Sequence, residues 1–109
     1  MTDKEYFVKI RPAMDSNPDI VKSINGSFQF DFSPSGDGKY YFIFENGGYQ
    51  LEDGSLAGAS VKVTCKWQVF EDIREGKLDP NMAMMTGKMK FKGDLVTAMQ
   101  LGKIFQLKV

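Results

Sequence analysis

Phe28-Gln29-Phe30-Asp31-Phe32 alternates apolar and polar residues without a break. Lys39-Tyr40-Tyr41-Phe42-Ile43-Phe44-Glu45 follows it across Ser33-Pro34-Ser35-Gly36-Asp37-Gly38. A period of two places Phe28, Phe30 and Phe32 on one side of a strand, so that side is destined for a core. The second run is apolar on both sides, a pattern that predicts cover on both faces. Between the runs, a cluster of Ser, Pro, Gly and Asp turns the chain. Asn46-Gly47-Gly48 is a hairpin turn leading into Tyr49-Gln50-Leu51-Glu52. Strands this close in sequence predict an antiparallel meander.

Upstream, Phe7, Ile10, Arg11 and Met14 have helical spacing over residues 4–15, with Pro12 expected to kink or divide the helix. Asn17-Pro18 opens a short helix over 19–24 that Asn25-Gly26 stops. Downstream, residues 60–66 alternate as a strand, with Val61, Val63 and Cys65 inward and Ser60, Lys62, Thr64 and Lys66 outward. Residues 67–75 read as a helix with Val69, Phe70 and Ile73 inward, ended by Gly76. Asp79-Pro80 caps a Met-rich helix over 81–86. Residues 88–92 alternate as a fifth strand, and Gly93-Asp94 opens a last helix over 95–101. The expected fold is a single α+β domain over 1–109: a five-stranded, mostly antiparallel sheet covered by helices.

A chain of 109 residues with 42% apolar content can bury a core without disulfides or metal. Nine Phe, four Tyr, one Trp and seven Met are more large apolar side chains than so small a core needs. Two readings stand side by side: an aromatic-rich core, or a surface that receives a greasy guest. The lone cysteine, Cys65, excludes an internal disulfide and fits a reducing compartment. The charged residues 1–5 introduce no apolar signal region, and no apolar run nears the roughly 20 residues of a membrane span. The expected location is therefore cytoplasmic. Fourteen basic residues balance fourteen acidic ones, which argues against a nucleic-acid binder. Lys88, Lys90, Lys92, Lys103 and Lys108, however, are offset only by Asp94. These lysines either meet an anionic membrane or solvate the outer side of a strand.

Catalytic chemistry has little to stand on. The absence of histidine removes the commonest general base, the usual nucleophile pairs and most zinc sites. Cys65 falls on the apolar side of its strand, where a thiol is normally inert. Glu71 and Glu75 share a helix face near Asp72, but Arg74 and Lys77 lie among them, as on a solvated mixed-charge face. Gly36-Asp37-Gly38-Lys39 lacks the spacing and context of a phosphate loop. No enzyme, cofactor or metal is expected.

The segment from Gly76 to Gly102 carries a family likeness. Gly76-Lys77-Leu78-Asp79-Pro80, Ala83-Met84-Met85-Thr86-Gly87-Lys88-Met89-Lys90, Lys92-Gly93-Asp94 and Ala98-Met99-Gln100-Leu101-Gly102 resemble, in order and spacing, the C-terminal signature of the sterol carrier (non-specific lipid-transfer) family. Phe28-Gln29-Phe30 and the aromatic second strand resemble its opening hairpin, so the likeness covers roughly residues 18–105. It implies an elongated apolar tunnel between sheet and helices that takes sterols, fatty acids, fatty acyl-CoA or phospholipids. Two departures stand out. Lys66-Trp67 occupies the place of the usual Ser or Asp helix cap, and Leu107-Lys108-Val109 is not the targeting tripeptide of peroxisomal members, which suits a free-standing bacterial or archaeal relative.

On this resemblance the tunnel is expected to be lined by Phe30, Phe32, Phe42 and Phe44 from the strands and by Trp67, Phe70 and Ile73 from the helix after them. Met82, Met85, Met89, Phe91 and Met99 would line it around the last strand, since methionine adapts to guests of varied shape. Ile104 and Phe105 would close it, within a tail that acts as a mobile lid hinged at Gly102. The expected function is non-catalytic binding and carriage of a lipid or fatty-acyl ligand. The alternative, suggested by family domains fused to thiolases, alkyl sulfatases and acetyltransferases, is an accessory domain docking onto a lipid-metabolising enzyme.

Overall fold

The computed structural model describes residues 1–109. Its elements are α1 (Asp3–Asp15), α2 (Pro18–Lys22), β1 (Gly26–Asp31), a 3-10 turn (Ser33–Ser35), β2 (Lys39–Glu45), β3 (Gly48–Asp53), β4 (Val61–Cys65), α3 (Trp67–Arg74), α4 (Pro80–Met85), β5 (Met89–Gly93), α5 (Leu95–Met99) and α6 (Gly102–Phe105). The sheet order is β3-β2-β1-β4-β5, with β1 and β4 parallel and every other pair antiparallel. The meander of the first three strands stands as expected.

Because β3 lies at one edge and β4 beside the central β1, the connection between them must cross the sheet. It does so over the face away from the helices. Gln29 donates to the Gly54 carbonyl at 3.0 Å and accepts from the Leu56 N–H at 2.5 Å, and Ser27 Oγ accepts from the Ser60 N–H at 2.8 Å. Gln29 is thereby buried with its amide satisfied. The predicted cover on both sides of β2 is thus met only in part: Tyr40, Phe42 and Phe44 are buried under helices, while Tyr41 and Ile43 on the outer side are half-buried. A loop serves there in place of a second helical layer.

Two other expectations need correction. Pro12 does not divide α1, which runs unbroken from Asp3 to Asp15. The bond lost is to the Val8 carbonyl, and Val8 lies on the exposed face, where the carbonyl is open to solvent. Nor is Glu71 solvated. It is buried on α3, with Arg74 donating through Nη2 at 2.5 Å and Nε at 3.0 Å to the same carboxylate oxygen. The uncapped start of α3 is remedied from a distance: Ser35 Oγ accepts from the Trp67 N–H at 2.9 Å, filling the role Lys66 cannot.

A single cluster of 20 buried apolar residues lies between sheet and helices. α1 is fixed onto the meander by polar ties at both ends. The Asp3 carboxylate accepts from Tyr40 O–H at 2.6 Å and Gly38 N–H at 2.9 Å, while Arg11 donates to the Leu51 carbonyl at 2.6 Å and Tyr49 to Asp15 at 2.9 Å. Thr2 and Glu5 add a reciprocal capping box.

Two outcomes are expected. Gly93 has φ +119°, and a Cβ there would run into the Ser60 backbone, so Gly93→Ala should cost on the order of 3 kcal/mol by urea unfolding. Burial raises the Asp3 carboxyl, but the bonds from Tyr40 and Gly38 outweigh it and hold the group below its ordinary value of 3.8. A depressed carboxylate stabilises the fold above that value and loses the contribution as pH falls beneath it. Urea midpoints should therefore drop more steeply on acidification in the parent protein than in Asp3→Asn; parallel slopes would remove Asp3 from the account.

Candidate functional site

Half of the 20 residues buried between the layers are aromatic. α1 contributes Tyr6 and Phe7, β1 and the turn after it Phe30 and Phe32, β2 Tyr40, Phe42 and Phe44, and α3 Trp67 and Phe70. Phe7 stacks on Tyr40 with centroids 4.2 Å apart, and Phe32 meets Trp67 edge-on at 5.1 Å. The tail supplies the last ring. Phe105 stands perpendicular to Phe70 at 4.9 Å and edge-on to Phe30 at 5.6 Å. Each such pair contributes about 0.5–1.5 kcal/mol beyond its buried area.

In this conformation the rings meet one another directly. Two open clefts lie elsewhere. One of about 560 Å³ runs between Lys9, Pro12 and Ala13 of α1 and residues 107–109 of the tail. Another of about 640 Å³ lies on the outer face of the sheet beneath the crossover loop.

Of the residues expected to line a tunnel, Phe30, Phe32, Phe42, Phe44, Trp67, Phe70 and Ile104 come together in the buried cluster. Met89, Phe91 and Phe105 pack against it half-buried, and Ile73 is half-buried on α3. Met82, Met85 and Met99 point to solvent, 50%, 81% and 70% exposed. α4 and α5 bracket the two ends of the edge strand β5 and turn Ala83 and Ala98 inward in place of the methionines. The tail is docked as the helix α6, with Ile104 fully buried and Gly102 at its first position.

Tyr6 is the residue sequence reasoning passed over, although Tyr6, Ile10 and Met14 form an i, i+4, i+8 stripe. It is fully buried against Phe7, Trp67, Phe70 and Phe105, and its hydroxyl has no hydrogen-bond partner. Burial pushes its pKa well above the ordinary phenol range, so the group stays protonated and able to donate. The Arg74 guanidinium lies 4.9 Å above its ring centroid. Cys65, by contrast, is an apolar filler: burial pushes its thiol up to about 11. No three His, Cys, Asp or Glu side chains gather as a metal site.

The fold has known counterparts. The apo sterol carrier protein 2 of Yarrowia lipolytica superposes with a TM-score of 0.74 at 21% identity, over 93% of this chain and 87% of that one. Palmitated SCP2L2 of Aedes aegypti gives 0.70 at 20% identity, over 97% and 96% of the respective chains. In sequence, hydroxysteroid dehydrogenase-like protein 2 of Xenopus laevis is 36% identical over 90 residues, which are 81% of this chain but 21% of that protein. The chain thus spans about a fifth of the length of such relatives. The SCP-2 sterol transfer family profile matches residues 7–106, and with the sheet order and apolar interior it places the conclusion beyond the fold alone: the chain belongs to the SCP-2 sterol transfer family.

Proposed function

We propose that the chain binds one long-chain lipid, such as a fatty acid or fatty acyl ester, between its sheet and helices, and carries or presents it without chemistry of its own. The observation that carries this reading is Phe105, a half-buried ring inserted among Phe30, Phe42 and Phe70 from a four-residue terminal helix. Withdrawal of the tail exposes Tyr6, Phe30, Phe42 and Phe70 to a guest. The palmitated state of the Aedes aegypti counterpart supports an acyl chain as guest. Burying about 16 methylenes contributes roughly 12 kcal/mol gross. Ring displacement, ordering and association oppose this by several kcal/mol or more, which leaves room for micromolar affinity. A cytoplasmic setting is part of the proposal, in keeping with a reduced, buried Cys65.

Anionic membrane is the proposed donor or acceptor of the lipid. Lys88, Lys90, Lys92, Lys103 and Lys108 are all exposed, interspersed in sequence with exposed Leu95, Val96 and Met99, and Met85 projects from α4 just before them. Lys90 and Lys92 lie beside Lys62 on the outer face of the sheet and Lys108 lies against α1, so the lysines offer charge to anionic phosphates on more than one side. The second reading, an accessory domain docked on a lipid-metabolising enzyme, draws on the same exposed side chains and on the tight ring packing of the core. The chain's match to a minor portion of a longer dehydrogenase-like relative supports it as well.

Native mass spectrometry with added palmitate tests the carrier. The parent chain should gain the mass of a single palmitate, and Phe105→Ala should exchange it several-fold faster at a stability cost of about 2 kcal/mol, less than for a fully buried ring. A chain that takes up no palmitate in either form leaves the docking reading in front. Co-sedimentation with phosphatidylserine vesicles should occur at low salt and fall away as screening shortens to about 10 Å near 0.1 M. Retention that ignores salt would sink the lysine contact.

A further inference from the structure

Resting on the lipid-binding reading, we infer that Tyr6 and Arg74 form the anchor for the ligand's head, and that the head is a carboxylate. The tail ring Phe105 packs 6.3 Å from Tyr6, so a guest that displaces this ring arrives beside the phenol. Tyr6 is fully buried, yet its hydroxyl has neither acceptor nor donor within reach. A buried hydroxyl left unpaired destabilises the fold, and phenylalanine would fill the same space without that penalty. A tyrosine retained among Phe7, Trp67, Phe70 and Phe105 therefore marks a position where an acceptor enters.

Arg74 supplies the second half of the anchor. It is largely buried and lies over the Tyr6 ring. Its Nε and one Nη2 hydrogen both go to a single oxygen of Glu71, and no protein group accepts from the remaining N–H donors. The Glu71 charge is spent on that pair. What remains is a protonated phenol buried without a partner, and beside it guanidinium N–H groups that no protein atom accepts and that are open to solvent. A carboxylate offers two oxygens and about four lone-pair sites, and it matches a guanidinium fork. A sterol hydroxyl or an ester carbonyl can answer the phenol but leaves the guanidinium unmatched. The site selects free fatty acids, entering so that the carboxylate lies under the displaced tail and the alkyl chain runs along the rings of β1 and β2.

Titration of the full-length chain and its Tyr6→Phe variant with palmitate and with methyl palmitate, followed by calorimetry or by Trp67 fluorescence, decides the matter. The parent should prefer palmitate to its ester. Tyr6→Phe should lose about tenfold in palmitate affinity, lose less for the ester, and unfold at the same or higher urea concentration. That opposite movement of binding and stability separates an anchor from a packing residue. A second variant, Arg74→Met combined with Glu71→Gln so that no charge is stranded, should lose palmitate affinity without restoring it for the ester. Equal affinity for the two lipids, or an unchanged palmitate affinity in Tyr6→Phe, overturns the anchor while lipid binding stands. A parent chain that binds neither lipid overturns the lipid-binding reading itself, and the anchor with it.

Discussion

β1 must pair on both sides, antiparallel with β2 and parallel with β4, and the rest of the molecule is arranged around that demand. A parallel neighbour cannot follow through a tight turn, so the chain leaves β3 at the edge and crosses the outer face to reach β4. The crossing loop occupies that face and is held there by Gln29 and Ser27 of β1 itself. All helices are left to the other face. Their apolar sides meet Phe28 and Phe30 of β1 and the three rings of β2, and only there does a deep core form. The central strand therefore decides which face is able to receive an apolar guest.

A core made of rings poses a question of magnitudes, because packed aromatics leave little space. Each ring pair contributes about 0.5–1.5 kcal/mol beyond area. A guest entering at the tail first replaces the contacts of Phe105 with Phe30, Phe42, Phe70 and Tyr6, and a chain laid along β1 and β2 then also parts their rings from Phe7 and Phe70. Those contacts together contribute several kcal/mol, under the roughly 12 kcal/mol gross of a 16-carbon chain. A closed interior and a lipid-binding function are compatible on these terms. In the absence of a guest, the tail ring shields the apolar surface that would otherwise face water.

What the sequence disclosed was mostly local. Alternation over Phe28–Phe32 and in Lys88-Met89-Lys90-Phe91-Lys92, the Asp79-Pro80 and Gly93-Asp94 helix starts, and the hairpin at Asn46-Gly47 all depend on near neighbours and all appear in the structure. The elements that escaped depend on distance along the chain. No pattern within α3 could reveal that Ser35 caps it; Glu71 and Arg74 pair locally at i, i+3, but only the packing of the whole fold turns that pair inward. The methionines of α4 and α5 were read as lining because of their chemistry, whereas their direction is set by where those short helices meet β5. Tyr6 was legible as a core position by spacing alone; its missing partner was not, since a lack of hydrogen bonds is a property of the whole fold.

The same distribution of ties indicates which element yields when a ligand enters. α1 is 13 residues long, closed by a capping box and bound to the meander through Asp3, Arg11 and Asp15. α3 is held by the borrowed Ser35 cap and by the Trp67 indole, which donates to the Met1 carbonyl at 3.0 Å. From Gly102 onward the chain makes a single side-chain hydrogen bond to the rest, from Lys103 to Ser23 at 3.4 Å, and depends otherwise on Ile104, Phe105 and Leu107. Opening follows the least stable unit, and a short terminal helix without side-chain caps is that unit here. If the guest enters by way of the tail as proposed, Tyr6 on α1 and Arg74 at the end of α3 would already stand beside its path. On the proposed reading, an anchor on α1 and α3 beneath a gate built from α6 would let the chain admit and release a lipid without unfolding.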